Sequence, residues 1–285
     1  MSSTKTYFLV PGWDFSTGSV PLGSIITNPT QPQLALFRPS PDDIDTPIHA
    51  TDKAQFSTSG NSSTAGVNGN HAINGSSAGL FGTFLNLFGL GSEDSFHYDR
   101  TTVLSYSFHQ LHSAWFVPSD VLKRKAVAET DRVAQFCRAT EYKTPVYLVT
   151  GLKTIKGAGV TTSSAKGSGW RVSLNVGAAP ADEVGEEPLP IVWALQLEEL
   201  KLSESGQLSS GGFNNGLGDA ELQEVLNRGF GEGTFTIVKG VDEEDGTHCR
   251  IVASSPACID LLTAGSARID PSLVRGQRRA SVVYP

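Results

Sequence analysis

The sequence predicts an α+β protein built on a largely antiparallel sheet with packed helices. Strand-like and helix-like segments are interspersed along the chain without the regular βαβ alternation that a parallel sheet requires. Residues 170–176 alternate strictly, with Trp170, Val172, Leu174 and Val176 facing one way and Arg171, Ser173 and Asn175 the other. Leu122, Ala126, Val133, Phe136 and Cys137 fall on one helical stripe, the spacing of a surface helix laid on a sheet.

Residues 7–37 read as extended structure punctuated by turns. Pro11-Gly12, Ser16-Thr17-Gly18-Ser19, Asn28-Pro29-Thr30 and Gln31-Pro32 bracket the apolar stretches 20–26 and 34–37. Residues 39–47, with Asp42, Asp43 and Asp45, form an acidic turn region. Residues 57–77 form a Ser/Gly/Asn/Thr tract with too little apolar surface to fold by itself, and are expected to be mobile. The run from Leu80 to Leu90, with Phe81, Phe84 and Phe88, is too short to span a membrane as a helix and too apolar to face water. It is expected to be a core helix or strand in the soluble state, and the long lead into it suits a segment that changes place. Residues 101–108 alternate as a strand. Pro118-Ser119-Asp120 then carries helix-start chemistry, with Ser119 as N-cap, and the helix is expected to reach about Thr140. Lys123, Arg124 and Lys125 lie near its start, where the helix dipole disfavours cations. An anionic ligand would explain them; so would acidic neighbours in the fold.

Residues 146–155 are expected as one strand and 170–176 as its hairpin partner, joined by residues 156–169, a Gly/Ser/Thr/Ala/Lys linker without an acid. Membrane β-strands need about 9–11 residues of alternating pattern, which an ordinary amphipathic hairpin over a soluble core also shows. After an acidic, proline-containing connection at 181–190 come a strand at 191–197, a glycine-rich turn at 211–218 and a short helix at 219–228. A strand at 234–239, an acidic break at 241–246 and a strand at 250–253 follow, before a tail with Arg268, Arg275, Arg278 and Arg279.

The 285 residues could hold one large domain or two modest ones, and a hydrophobic fraction of 39% excludes a mainly disordered chain. No stretch approaches the roughly 18 apolar residues of a transmembrane helix, and the opening apolar run is too short for a signal peptide, so the chain is expected to be soluble and cytosolic. Cys137, Cys249 and Cys258 form no CxxC pair and are expected to stay reduced. The net charge of −7 argues against nucleic acid as a partner. That average hides a cationic block: residues 100–180 hold eleven basic residues against four acidic ones, a segment charge of +7. Such a block suits an anionic surface, where a lipid headgroup layer contributes about 1 kcal/mol per well-placed Lys or Arg.

Gly75-Ser76-Ser77-Ala78-Gly79 matches the GxSxG nucleophile elbow, which would make Ser77 an esterase nucleophile. The elbow needs a buried apolar strand before it, and residues 67–74 are Asn/Gly-rich instead. His109 and His112 could meet on a helix as metal ligands but have no acidic or cysteine partner at ligand spacing. The glycine-rich 211–218 stretch lacks the Lys-Ser/Thr of a phosphate loop. The sequence therefore predicts no catalytic residues, no metal and no cofactor.

Tyr7-Phe8-Leu9-Val10-Pro11-Gly12-Trp13-Asp14-Phe15, followed by Pro21-Leu22-Gly23-Ser24-Ile25-Ile26 and the spaced Pro29 and Pro32, resembles the start of fungal gasdermin-like proteins, including regulator-of-cell-death allorecognition proteins and their heterokaryon-incompatibility relatives. The motif-level likeness covers about the first 36 residues; the rest agrees in layout. The resemblance implies a twisted, mainly antiparallel sheet with packed helices, in which residues 1–240 form the pore-forming domain and 241–285 a short tail with an expected regulatory role. It implies that the chain binds acidic phospholipids such as cardiolipin or phosphoinositides, oligomerises with itself, and re-forms two segments as membrane hairpins. Lys123, Arg124, Lys125, Lys153, Lys156, Lys166 and Arg171 are then the expected lipid-binding cations. Leu80, Phe81, Phe84, Leu148, Leu152, Trp170, Val172, Leu174 and Val176 are the expected membrane-inserting residues. The trigger implied is an activating protease or an allelic variant, with the protein cytoplasmic when inactive and at the plasma membrane when activated. A soluble protein-interaction module is the alternative.

Overall fold

The computed structural model describes residues 4–12, 15–61, 80–87, 103–128, 130–163, 169–172, 190–212 and 217–254. The opening apolar segment becomes a central strand, β1 (Lys5–Leu9), whose last four residues are buried because it is flanked on both sides. It pairs antiparallel with β7 (Ile191–Leu202) and parallel with β10 (His248–Ser254). Next to β10 runs β9 (Phe235–Val241); beyond β7 lie β5 (Val146–Ser163), β4 (Val103–Trp115) and β3 (His49–Asn61). Two short strands, β2 (Ile25–Ile26) and β6 (Gly169–Val172), add to β5, and β8 (Leu208–Gly212) adds to β7. Among the described residues every strand pair is antiparallel except β1 with β10. With four helices, this is the α+β architecture that the sequence predicts.

Two apolar clusters hold it. The larger gathers Tyr7, Phe8, Trp193, Ile251 and Val252 of the central strands with Leu80, Phe81 and Phe84 of α1 (Leu80–Leu87) and Leu222 and Leu226 of α4 (Asp219–Phe230). Phe81 meets Phe108 and Trp193 edge-on, with ring centroids 5.6 and 5.4 Å apart. Each such side chain, fully buried, contributes about 1.5–3 kcal/mol relative to exposure. The smaller cluster lies between β2, β5 and β7 and two helices, α2 (Asp120–Ala128) and α3 (Asp131–Ala139), with Ile25, Ala126, Val127, Val133, Cys137, Val146, Leu148 and Leu200.

Several elements differ from expectation. The single helix expected up to Thr140 is two, because Thr130 takes an extended conformation (φ −96°, ψ 110°) as the N-cap of α3. Ser119 does cap α2: its Oγ accepts the Leu122 N–H at 3.0 Å. The linker expected at 156–169 is strand as far as Ser163, and the Ser/Gly tract expected at 57–77 is strand as far as Asn61. Both follow their partner, since β4 supplies hydrogen bonds to each along its whole length. Residues 164–168 of the first segment and 62–77 of the second, Ser77 among them, lie outside the described residues. The domain boundary expected at Gly240 falls inside the sheet: β10, beyond it, is hydrogen-bonded between β1 and β9, so the folded unit includes the described residues up to Ser254.

Candidate functional site

Two features separate this molecule from a plain sheet-and-helix core. The first is a set of long strands that outrun their support. β7 stops pairing with β5 at Ile191, opposite Ile155, yet β5 continues for residues 156–163. Along that stretch its neighbours are β4, from Gln110 back to Val103, and at its end β6, in the register Val160↔Val172 to Ser163↔Gly169. β3 pairs with β4 over the same span, to Asn61↔Val103. Among the described residues this makes a blade of three strands, four where β6 joins, in which β5 runs roughly 27 Å past its last pair with β7 at about 3.4 Å per residue. Its root is marked by Gly157, in the left-handed region (φ 63°), where a Cβ would stand 2.5 Å from His109 Nδ1.

The expected membrane-inserting residues divide. Leu80, Phe81 and Phe84 are buried in the main core as one face of α1. Leu148 and Leu152 are separated by a register shift between Val149 and Gly151: Leu148 joins the smaller cluster, and Leu152 packs on the larger. Trp170 and Val172 lie on β6, in the hairpin with β5, but against residues 160–163 rather than 146–155. Leu174 and Val176 lie outside the described residues.

The expected lipid-binding cations divide as well. Lys123 Nζ bridges to Glu198 of β7 at 2.7 Å, and Lys125 Nζ to Asp43 at 2.8 Å. Acidic neighbours thus account for two of the three cations near the start of α2, and Lys125 holds the Asp43 carboxyl below its usual range, chiefly through their hydrogen bond. Arg124 is exposed on the same helix. Lys156 is half-buried at the root of the blade, and Arg171 lies on β6. Lys166 is outside the described residues. Lys153 is buried, its side chain 2% exposed.

Lys153 leads to the second feature, which sequence reasoning passed over as an acidic break: the turn between β9 and β10. Lys153 Nζ donates to Asp242 Oδ1 at 2.8 Å, to Glu244 Oε2 at 3.1 Å and to Ser113 Oγ at 3.1 Å, and stands 5.1 Å from the Tyr7 ring centre. Asp242, fully buried, also accepts the Tyr7 hydroxyl at 2.6 Å. Burial pushes the Asp242 carboxyl up, but Lys153, the Tyr7 hydroxyl and the Glu244 N–H together outweigh it and hold the group below its usual range. Burial raises the Tyr7 phenol, with the Asp242 charge adding to it. Glu243 is the opposite case: burial dominates and lifts it to about 7, against hydrogen bonds that include one from the Phe81 N–H at 2.6 Å. Cys249, next along β10, is pushed up to about 12 by burial and the nearby carboxylates.

His109 and His112, weighed as metal ligands on a helix, sit on a strand, where a spacing of three puts them on opposite faces. His112 instead contacts Asp52 at 2.9 Å. Among the described residues no group of three or more His, Cys, Asp or Glu could hold a metal ion. Among them, too, no helix is long and apolar enough to cross a membrane, which leaves β-barrel insertion open.

No protein-family profile matches the chain, and no curated protein matches it. Among solved structures, a bacterial gasdermin from Bradyrhizobium tropiciagri is similar to it at 13% identity, covering 71% of this chain and 85% of that one with a TM-score of 0.35.

Proposed function

We propose that the chain is a membrane-permeabilising protein of the gasdermin kind, acting in cell death after binding acidic phospholipids and assembling with copies of itself. The observation that carries this reading is the blade: β3, β4 and β5 stay in one register past the end of β7, interrupted at His109 alone, and residues 156–163 contain no acid. Strands of 13, 13 and 18 residues exceed the 9–11 that a membrane β-strand needs. Strands already paired are suited to lengthen into a barrel wall, because closing a sheet removes its edges and satisfies every backbone group. In this reading the opening resemblance to fungal gasdermin-like proteins extends to the trigger, an allelic variant or a protease that removes residues beyond the sheet, and the chain moves from the cytoplasm to the plasma membrane. The headgroup contacts fall to Arg124, Lys156, Lys166 and Arg171, with Lys123 and Lys125 joining once their carboxylate partners give way. Lys153 joins only if its buried pair opens.

The test is dye release from vesicles containing cardiolipin or phosphoinositides, comparing the full chain with one ending at Ser254, which keeps β10. Leakage from the shortened chain alone supports a pore held in check by residues 255–285, and leakage from both supports direct action on lipid. Vesicles that stay sealed to both chains, including mixtures with an allelic variant, would overturn the proposal. The pairing of Lys123 and Lys125 with Glu198 and Asp43 favours a second reading, a soluble interaction module without membrane activity. Stable capture of a protein partner alongside sealed vesicles is the result that reading expects.

A further inference from the structure

The β9–β10 turn presents four consecutive acids, Asp242 to Asp245, which together reach β1, β3, β5 and α1. Asp242 takes Lys153 of β5 and Tyr7 of β1. Glu243 accepts the Phe81 N–H in the first turn of α1, while its backbone carbonyl accepts Lys53 of β3. Glu244 takes Lys153 again and Thr51 of β3, and Asp245 takes Lys5 of β1 at 2.6 Å. The turn is itself braced: the Glu244 N–H donates to Asp242 Oδ1 at 3.0 Å, the Thr247 N–H donates to Asp245 Oδ1 at 2.9 Å, and Gly246 takes the left-handed conformation the tight return needs (φ 71°). A solvent-facing hairpin turn has no reason to bury its acids, yet Asp242 and Glu243 are 0% and 7% exposed. An eight-residue helix such as α1 is not stable alone and depends on what holds it.

We propose that this turn is a latch, through which α1 and strands β3 and β5 are fastened to the central sheet, and that it opens when Glu243 leaves its buried place beside the Phe81 N–H for water. Glu243 is faced by the Phe81 N–H from α1, Lys53 from β3, Lys153 from β5, Cys249 from β10 and its own neighbours Asp242 and Glu244. Burial and the Asp242 charge work against its ionisation, and the Phe81 N–H and Lys153 work for it. The group titrates at about 7 in the fold against 4.5 in the open chain, because burial penalises its charge. The folded state therefore binds this proton more tightly, so the latch is fully closed below about 4.5 and loosens as pH rises through about 7. The inference concerns the protein in solution and does not depend on membrane activity.

Hydrogen exchange of the full chain, followed by mass spectrometry from pH 5.5 to 8.5 and corrected for intrinsic exchange, tests it. Protection of residues 80–87 is expected to fall about tenfold or more across that range, while residues 191–202 stay protected. Glu243→Gln, which keeps an acceptor for the Phe81 N–H without the charge, is expected to hold 80–87 closed at every pH. Glu243→Ala is expected to open them at every pH. Protection of 80–87 that is flat with pH in the unaltered chain, or that is lost only together with 191–202, would overturn the latch, since the turn would then be an inseparable part of one cooperative unit.

Discussion

Lys153 and Asp242 are 89 residues apart in sequence and meet where neither can reach water. Breaking such a pair from one side leaves an uncompensated buried charge, so Lys153→Met is expected to lose about 3–5 kcal/mol, read as a lower urea midpoint with an unchanged slope. The two acids of the turn pull stability in opposite directions with pH. Asp242, held below its ordinary value of 3.8, gives stability that is present above that value and lost as pH falls through its lower folded value. Glu243, raised to about 7 from 4.5, gives stability that is present below 4.5 and lost as pH rises through 7. Thermal melts are therefore expected to peak between about pH 3.8 and 4.5 and to fall from there to about pH 7, and a melting temperature rising between pH 5 and 7 would count against that assignment. None of this was legible in the sequence, where Lys153 reads as one more cation of a basic block. Alternation tells which face a strand residue takes, but not whether a distant acid waits there. The one available signal was the lysine's place among Leu152, Ile155 and Val149, apolar company that asks a charge to find a partner.

At the scale of elements, the legible ones carry their own pattern. The apolar runs of β1, β7 and β10 and the helical spacing of α4 are visible residue by residue, and so is the Ser119 cap of α2. What stayed hidden was structure imposed by neighbours. β3 contains His49, Thr51, Asp52, Lys53, Ser57, Ser59 and Gly60, and β8 reads Leu-Ser-Ser-Gly-Gly; neither has a pattern of its own, and each is a strand because β4 or β7 pairs with it. The blade's root depends on a single residue that only glycine suits. Gly157→Ala is expected to cost at least about 1–2 kcal/mol, from positive φ and from the contact with His109, whereas Gly18→Ala, with nothing within 4 Å, is expected to be silent. The two variants compared by urea unfolding decide it. Within α1, Phe84→Ala removes a ring packed on Phe81 and Trp193 and is expected to cost about 3–5 kcal/mol in the same assay.

At the scale of the molecule, the described residues are organised around one parallel contact, β1 against β10, in a sheet whose other described pairs are antiparallel. A chain ending at Gly240 loses β10, and with it one neighbour of β1, the only partner of β9 among the described residues, and the carboxylates that satisfy Lys153. It is expected to show no cooperative thermal transition, while a chain ending at Ser254 melts close to the full one; a cooperative melt from the shorter chain would mean that the sheet tolerates an open centre. Lys5 pairs in register with Cys249 and Phe8 with Val252, which sets a timetable as well as a shape. During synthesis β1 emerges 244 residues ahead of its partner positions on β10, so among the described strands the middle of the sheet is completed by its most distant contact, a slow closure. A translation product that stops early, or a chain nicked before residue 248, leaves β1 lacking that neighbour. An incomplete copy of this protein is therefore expected to be recognised as unfolded and degraded, rather than to persist as a smaller working one.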